Sequence, residues 1–259
     1  MISYPNAKVN IGLNVIRKRP DGYHDLETLF YPCTELRDTL AIKEDTQFGI
    51  DITRDAGKVD WDPMQDLTAR AYRLLREDFD LPPVHIYLRK SIPVGAGLGG
   101  GSADGAFALK MLNGMFGLHL DEAQLAAYAA RLGSDCPFFI YNRPMLGTGR
   151  GEVLTEAPSP FDTDRYQLRL HIPEGISVST REAYSGIIPS GEGQEPLLEL
   201  LSRPLEEWNG RVVNDFEKTV FAVHPQLGLI KQMLYDQGAI YASMSGSGSA
   251  LFGIFPKNQ

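Results

Sequence analysis

Residues 93–106 read PVGAGLGGGSADGA, and five of the seven positions from Gly95 to Gly101 are glycine. The interior of a helix or strand is a poor place for such a run, because glycine gives up more backbone entropy on ordering than any other residue. A strand-like run, residues 84–92, precedes it, and a helical pattern follows at once from Ser102 through Ala106, Leu109, Leu112, Met115 and Phe116. A strand, a glycine loop and a helix start in that order hold phosphate well. The glycines let backbone N–H groups approach an anion, and the helix start adds unpaired donors and a partial positive charge. A loose glycine linker would not run straight into a well-patterned amphipathic helix.

Several phosphate loops share parts of this pattern. Gly95-x-Gly97-x-x-Gly100 satisfies the dinucleotide fingerprint as a string. That fingerprint also needs an acidic residue ending a second strand about 20 residues on. Asp121 and Glu122 stand near that distance, but they open a helical pattern through Leu125, Tyr128, Ala129 and Leu132. A Rossmann oxidoreductase therefore rests on the glycine string alone. The Walker A form requires lysine where Gly101 stands, and the chain has no HRD or DFG triplet of a protein kinase.

The chain has 259 residues, enough for one large or two modest domains with a full core. Its net charge of −8 argues against a broad nucleic-acid or anionic-membrane surface, but a loop of backbone amides can still bind an anion locally. No apolar run approaches the roughly 20 residues that span a bilayer. The first residues, MISYPNAKVN, carry no basic-then-apolar signal pattern. The two cysteines, Cys33 and Cys136, make no disulfide framework, so a reducing cytoplasm is the expected location.

Residues 7–19 alternate as a strand, with Val9, Ile11, Leu13 and Val15 on one face and Lys8, Asn10 and Asn14 on the other. The turn Pro20-Asp21-Gly22-Tyr23 and a second strand over 26–34 complete a hairpin, so Lys8 and Asn10 share a face of an arm whose turn carries Tyr23 and His24. By itself a strand lysine reads as a solvated edge residue, and a turn histidine as a surface group. Strands are expected at 38–43, 48–53 and 166–172. Helices are expected after Asp66 as N-cap, over 121–132 with Gly133 as stop, over 179–187, and over 225–237 closed by Gly238. Asp135, in GSDCPFF, reads locally as a turn or cap residue. Tyr184 reads as a half-buried packing residue. Residues 189–195 are expected to be a mobile loop, and the proline- and acid-rich stretch 157–164 a domain boundary. Two short strands over 241–255 flank the loop Ser-Gly-Ser-Gly-Ser at 245–249.

The form P-x-x-x-G-L-G-G-G-S at 93–102, which lacks a lysine, resembles the phosphate loop of the GHMP kinases. The match extends through K-V-N-x-x-L-x-V…R-P-D-G-Y-H-D-L-x-T-L-F at the start, G-x-D-x-P-F-F at 133–139, and the glycine-rich loop near the end. The D-G-Y-H turn is similar to that of the subfamily of the non-mevalonate isoprenoid route, whose acceptor is a diphosphocytidyl sugar alcohol. The resemblance implies an α+β, two-domain GHMP kinase fold, cut at 1–157 and 158–259, with the active site in the interdomain cleft. It implies a small-molecule kinase using ATP and Mg²⁺, acting as a monomer or weak homodimer, with no nucleic-acid or membrane partner.

Residue by residue, it makes Lys8 and Asp135 catalytic. It assigns the ATP phosphates to Pro93, Val94, Gly95, Ala96, Gly97, Leu98, Gly99, Gly100, Gly101, Ser102 and Ala103. Asn10, Tyr23, His24 and Tyr184 bind substrate, with the cytosine ring between Tyr23 and Tyr184 and its edge read by His24. Ala103 and Gly105 depart from the subfamily's G-G-G-S-S-D-A-A, which removes a hydroxyl, so no residue is assigned to the metal. A GHMP kinase for homoserine or mevalonate, and a non-catalytic nucleotide-binding module of the same fold, are the alternatives. The D-G-Y-H turn argues against the first, and the presence of both Lys8 and Asp135 against the second.

Overall fold

The computed structural model describes residues 1–54, 57–191 and 193–257. In chain order the elements are β1 (Ile2–Ser3), β2 (Asn6–Lys18), β3 (His24–Arg37), β4 (Thr39–Glu44), β5 (Gly49–Arg54), β6 (Gly57–Lys58), α1 (Leu67–Leu75), β7 (Val84–Lys90), α2 (Gly100–Met115), α3 (Glu122–Leu132) and α4 (Cys136–Tyr141). Then come β8 (Met145–Thr148), β9 (Val153–Glu156), β10 (Tyr166–His171), α5 (Thr180–Tyr184), α6 (Leu197–Leu201), α7 (Phe216–Val223), α8 (Pro225–Asp236), β11 (Tyr241–Met244) and β12 (Leu251–Pro256). They form two compact units, each discontinuous in sequence. The first is Met1–Ala7, Thr34–Val94 and Gly99–Arg143; the second is Lys8–Cys33, Gly95–Leu98 and Pro144–Gln259. Residues 157 and 158 both fall inside the second unit.

The first unit is a five-stranded sheet in the order β1-β4-β7-β5-β6 with helices packed on it. β7 is antiparallel to β4 and parallel to β5. Its alternation decides its facing: Val84, Ile86, Leu88 and Lys90 are buried, while Tyr87 and Arg89, on the other face, are exposed. Each fully buried apolar side chain of this kind stabilises by roughly 1.5–3 kcal/mol. The helix boundaries follow local chemistry. The Asp66 side chain caps α1 by accepting from the Thr68 N–H, Asp121 and Gln124 form a capping box at α3, and Gly133 ends α3.

The second unit contains a four-stranded sheet, β2-β3-β8-β9, and a three-stranded antiparallel sheet, β10-β12-β11. Its core joins Leu13 and Val15 to Val178, Phe216, Val220, Leu227, Leu234, Met244 and Leu251. β2 departs from the sequence reading. Both of its faces are covered, so Lys8, Asn10 and Asn14 are only 4%, 3% and 4% exposed, and Lys8 is not a solvated edge lysine.

Three further differences have local causes. Residues 136–141, for which no helix is expected, form α4, with Pro137 in its first turn where a missing N–H costs nothing. The helix expected over 179–187 shortens to α5, still capped by the Ser179 hydroxyl. In the stretch 189–195, Glu192 lies outside the described residues, while the Ser190 and Gly191 N–H groups donate to the Val15 and Ile16 carbonyls at 2.8 and 3.1 Å. That pairing ties 190–191 to β2 rather than leaving them mobile.

Candidate active site

The glycine loop is fixed by its carbonyls. In the second unit, the Ala96 carbonyl accepts from the Ala250 N–H at 3.1 Å and the Leu98 carbonyl from the Lys8 N–H at 2.9 Å. Between them, the Gly97 carbonyl accepts from the Ser245 hydroxyl at 3.0 Å. The approach is close enough to demand glycine. Gly97 has φ +76°, and a Cβ there would stand 2.2 Å from the Ser245 carbonyl oxygen. The loop at 245–249 therefore touches the glycine loop directly at Ser245.

In the first unit, Gly99 (φ +72°) is the N-cap of α2 and offers no side chain to its amides. The Ala103 N–H makes the first intrahelical bond, to the Gly99 carbonyl at 2.9 Å. The N–H groups of Gly100, Gly101 and Ser102 begin the helix without a preceding turn to accept from. Their donors, with the helix dipole behind them, fit an anion such as the phosphates of ATP. Ala103 does not belong among these donors: its N–H is used inside the helix and its methyl is fully buried.

The Lys8 ammonium donates to Asn10 Oδ1 at 2.6 Å, as their shared strand face requires. It also lies 5.3 Å from the centroid of the Phe30 ring, a cation–π geometry. Asn10 Nδ2 donates to the Thr28 hydroxyl at 3.0 Å. Asp135 occupies the N-cap position of α4, but its carboxylate makes no capping hydrogen bond, so the plain cap reading fails. The Ser134 hydroxyl donates to Asp135 Oδ1 at 3.3 Å. Beside it the Cys136 thiol is fully buried, and burial pushes its pKa up to about 12. That makes Cys136 a packing residue and not a nucleophile.

Below the first turn of α2 lies a charged cluster that the sequence reading missed. The Lys90 ammonium is paired with Asp38 and, at 2.5 Å, with Asp104. It also stands 3.3 Å from where Gly100 would carry a Cβ. Asp38 Oδ1 further accepts the N–H groups of Ser91 and Ile92, tying the end of β7 to the start of β4. Asp104 Oδ1 is buried and has no hydrogen-bond partner. Burial raises the Asp104 pKa well above 3.8, the nearby Asp38 charge adds to that, and Lys90 opposes it. The signal available in the sequence was Asp104 itself, a carboxylate on the apolar face of a helix, which needs a buried partner.

The ring stacked on Tyr184 is His24, with centroids 4.8 Å apart and planes 22° apart. Tyr184 and Phe216 make a T-shaped contact, with centroids 4.7 Å apart. Tyr23 is 58% exposed, and the Arg150 guanidinium lies over its ring at 4.9 Å. Partial burial, with Lys18 nearby, lowers the His24 pKa, which keeps the ring neutral near pH 7 with one donor and one acceptor nitrogen. Among the described residues no group of three or more His, Cys, Asp or Glu side chains is placed to hold a metal ion. None of the described helices is long and apolar enough to cross a membrane.

Comparison with known proteins agrees with this chemistry. The profile of the GHMP kinases N terminal domain matches residues 66–143, and that of the GHMP kinases C terminal matches residues 195–259. The expected cut at 157/158 falls between the two matches. A 4-diphosphocytidyl-2-C-methyl-D-erythritol kinase of Bacteroides fragilis is 49% identical over 257 residues, covering 98% of this chain and 92% of that protein. One of the same name from Nitratidesulfovibrio vulgaris is 36% identical, covering 98% and 89%. The crystal structure of a 4-(cytidine 5'-diphospho)-2C-methyl-D-erythritol kinase superposes with a TM-score of 0.78 at 32% identity, covering 98% of this chain and 89% of that one. A homoserine kinase from Cytophaga hutchinsonii shares the fold, with a TM-score of 0.65 at 19% identity, covering 96% and 84%.

Proposed function

This chain belongs to the GHMP kinases, and from that membership we propose that it transfers a phosphoryl group from ATP to the 2-hydroxyl of 4-diphosphocytidyl-2-C-methyl-D-erythritol. It is a small-molecule kinase of isoprenoid precursor biosynthesis. The observation that carries the substrate is the 49% identity, along nearly the whole chain, to a relative of that name.

The N–H groups of Gly100, Gly101 and Ser102 receive the nucleotide phosphates, and the loop residues from Pro93 to Gly99 shape the approach. Phosphoryl transfer runs through a loose transition state, so positioning and charge neutralisation carry the rate. Asp135 accepts or orients the proton of the substrate hydroxyl, an effect typically worth about 10²–10⁴ in rate. Lys8 supplies positive charge, with its ammonium already directed by Asn10. A divalent ion such as Mg²⁺, carried in on ATP, neutralises phosphate charge when bound. Tyr23, His24 and Tyr184 form the base subsite. Because His24 already stacks on Tyr184, the cytosine either joins that stack or takes the place of the imidazole in it. The buried free cysteines, Cys33 and Cys136, fit a reducing cytoplasm, where the enzyme works as a monomer or weak homodimer.

The test is ADP release with ATP and, in turn, the diphosphocytidyl alcohol, homoserine and mevalonate. Turnover confined to the diphosphocytidyl alcohol is expected. Equal or faster turnover of homoserine or mevalonate would overturn the assignment.

A further inference from the structure

We infer that Thr28 is a positioning residue for Lys8, acting through Asn10 in a hydrogen-bond chain that can run in only one direction. The inference rests on the reading of Lys8 as catalytic. The chain starts at the Gly12 carbonyl, which can only accept. The Thr28 hydroxyl donates to it at 2.6 Å. Its single proton is then committed, so Thr28 can only accept from Asn10. Asn10 turns its amide nitrogen to Thr28 at 3.0 Å and its carbonyl oxygen to Lys8 Nζ at 2.6 Å. An ammonium is donor-only, so this is the one amide orientation that lets Lys8 bond.

Every member is buried: Thr28 is 1% exposed, Asn10 3% and Lys8 4%. Water is therefore shut out as a substitute partner. The backbone of Asn10 makes a second connection: its N–H donates to the Ser245 hydroxyl at 3.3 Å, which in turn donates to the Gly97 carbonyl. Asn10 thus joins the lysine to the glycine loop, and Thr28 fixes the direction of Asn10. Loss of the Thr28 hydroxyl leaves the buried Asn10 Nδ2 without its acceptor, so the amide loses one of the two bonds that hold it against Lys8. An amide that shifts to find another acceptor for its N–H groups carries the Lys8 ammonium with it.

The test uses Thr28→Val, which keeps the shape and suits a strand, Thr28→Ser, which keeps the hydroxyl, and Lys8→Met as reference. Displacement of a reacting group by about 1 Å costs on the order of 10²-fold in rate. Thr28→Val is expected to lower kcat by about that factor while leaving the KM for ATP unchanged, and Thr28→Ser to restore kcat. A Thr28→Val enzyme with wild-type kcat would overturn the inference. So would a Thr28→Ser enzyme impaired as badly as Thr28→Val, which would mean that packing of the methyl matters and not the hydroxyl. Should Thr28→Val not fold, Thr28→Ala takes its place: a lowered kcat with the KM for ATP unchanged upholds the chain, and wild-type kcat refutes it. Full activity in Lys8→Met would remove the role of Lys8, and the inference with it, which is distinguishable from the failure of Thr28 alone.

Discussion

Replacing Asp104 by asparagine tests whether the charge beneath α2 is balanced as the structure implies. Lys90, Asp38 and Asp104 have side chains 5%, 0% and 1% exposed, so two carboxylates share one buried ammonium. Asp38 is fully engaged, with Lys90 on one oxygen and the Ser91 and Ile92 N–H groups on the other. Asp104 has one oxygen on Lys90 and one without a partner, and its pKa is raised. Burial therefore makes the folded protein hold a proton on Asp104 more tightly than the unfolded chain does.

Asp104→Asn keeps an oxygen for Lys90 and places an amide nitrogen where the oxygen without a partner stood. The unmatched N–H group costs about 1–3 kcal/mol, offset by removal of the buried charge that the acid acquires on ionising. The net change at neutral pH is expected to be about 1 kcal/mol or less. Asp38→Asn must turn donors toward either Lys90 or two N–H groups, and breaking a buried pair in this way costs about 3–5 kcal/mol.

The sign with pH follows from the raised pKa. The folded state holds the Asp104 proton more tightly than the unfolded chain. That stabilisation is complete below the ordinary value of 3.8 and is lost as pH rises through the higher folded value. Asp104→Asn removes this slope, so the variant gains on the wild type as pH rises. Urea-unfolding midpoints, compared between about pH 5 and pH 8, measure the gap. A gap that stays flat with pH, or an Asp104→Asn loss equal to that of Asp38→Asn, would refute the raised Asp104 pKa and the unequal roles of the two carboxyls.

Gly97→Ala should weaken ATP binding tenfold or more without unfolding the protein, because positive φ costs an L-residue about 1–2 kcal/mol and the new Cβ meets the Ser245 carbonyl; calorimetric titration with ATP checks this, and unchanged affinity contradicts it. His24→Ala should erode the preference for cytosine over uracil in kcat/KM, since an aromatic stack alone tolerates any base; an unchanged ratio of cytidine to uridine substrate would show that His24 does not read the base. Cys136 should resist thiol reagents in the native protein at neutral pH and react only once unfolded, because its thiol is buried and pushed up to about 12; rapid native labelling at Cys136 would contradict that.

Features set by neighbours in sequence were legible. Asp121 with Gln124, Gly133, Asp66 and Ser179 all cap or end helices where their local chemistry placed them. The alternation of β2 correctly put Lys8 and Asn10 on one face. It could not say that the face is covered, because the covering residues come from distant parts of the chain. Thr28 is 18 positions from Asn10, and Asp38 is 52 from Lys90, so no spacing rule links them. Residues 136–141 carried too short an apolar run for periodicity to separate a helix from a strand. The contact of His24 with Tyr184, 160 positions apart, and that of Tyr184 with Phe216 had no signal in local spacing.

The role of Asp135 in phosphoryl transfer to a single hydroxyl of the diphosphocytidyl alcohol is open to a decisive comparison. Phosphorus NMR would follow the product formed from ATP by the wild type and by Asp135→Asn, alongside ATP binding by both. A new phosphomonoester on the 2-hydroxyl is expected with the wild type. With Asp135→Asn, turnover should fall by about 10²–10⁴ while ATP affinity stays nearly unchanged. A phosphate on another hydroxyl, no phosphate transfer by the wild type, or near-wild-type turnover by Asp135→Asn would refute that role.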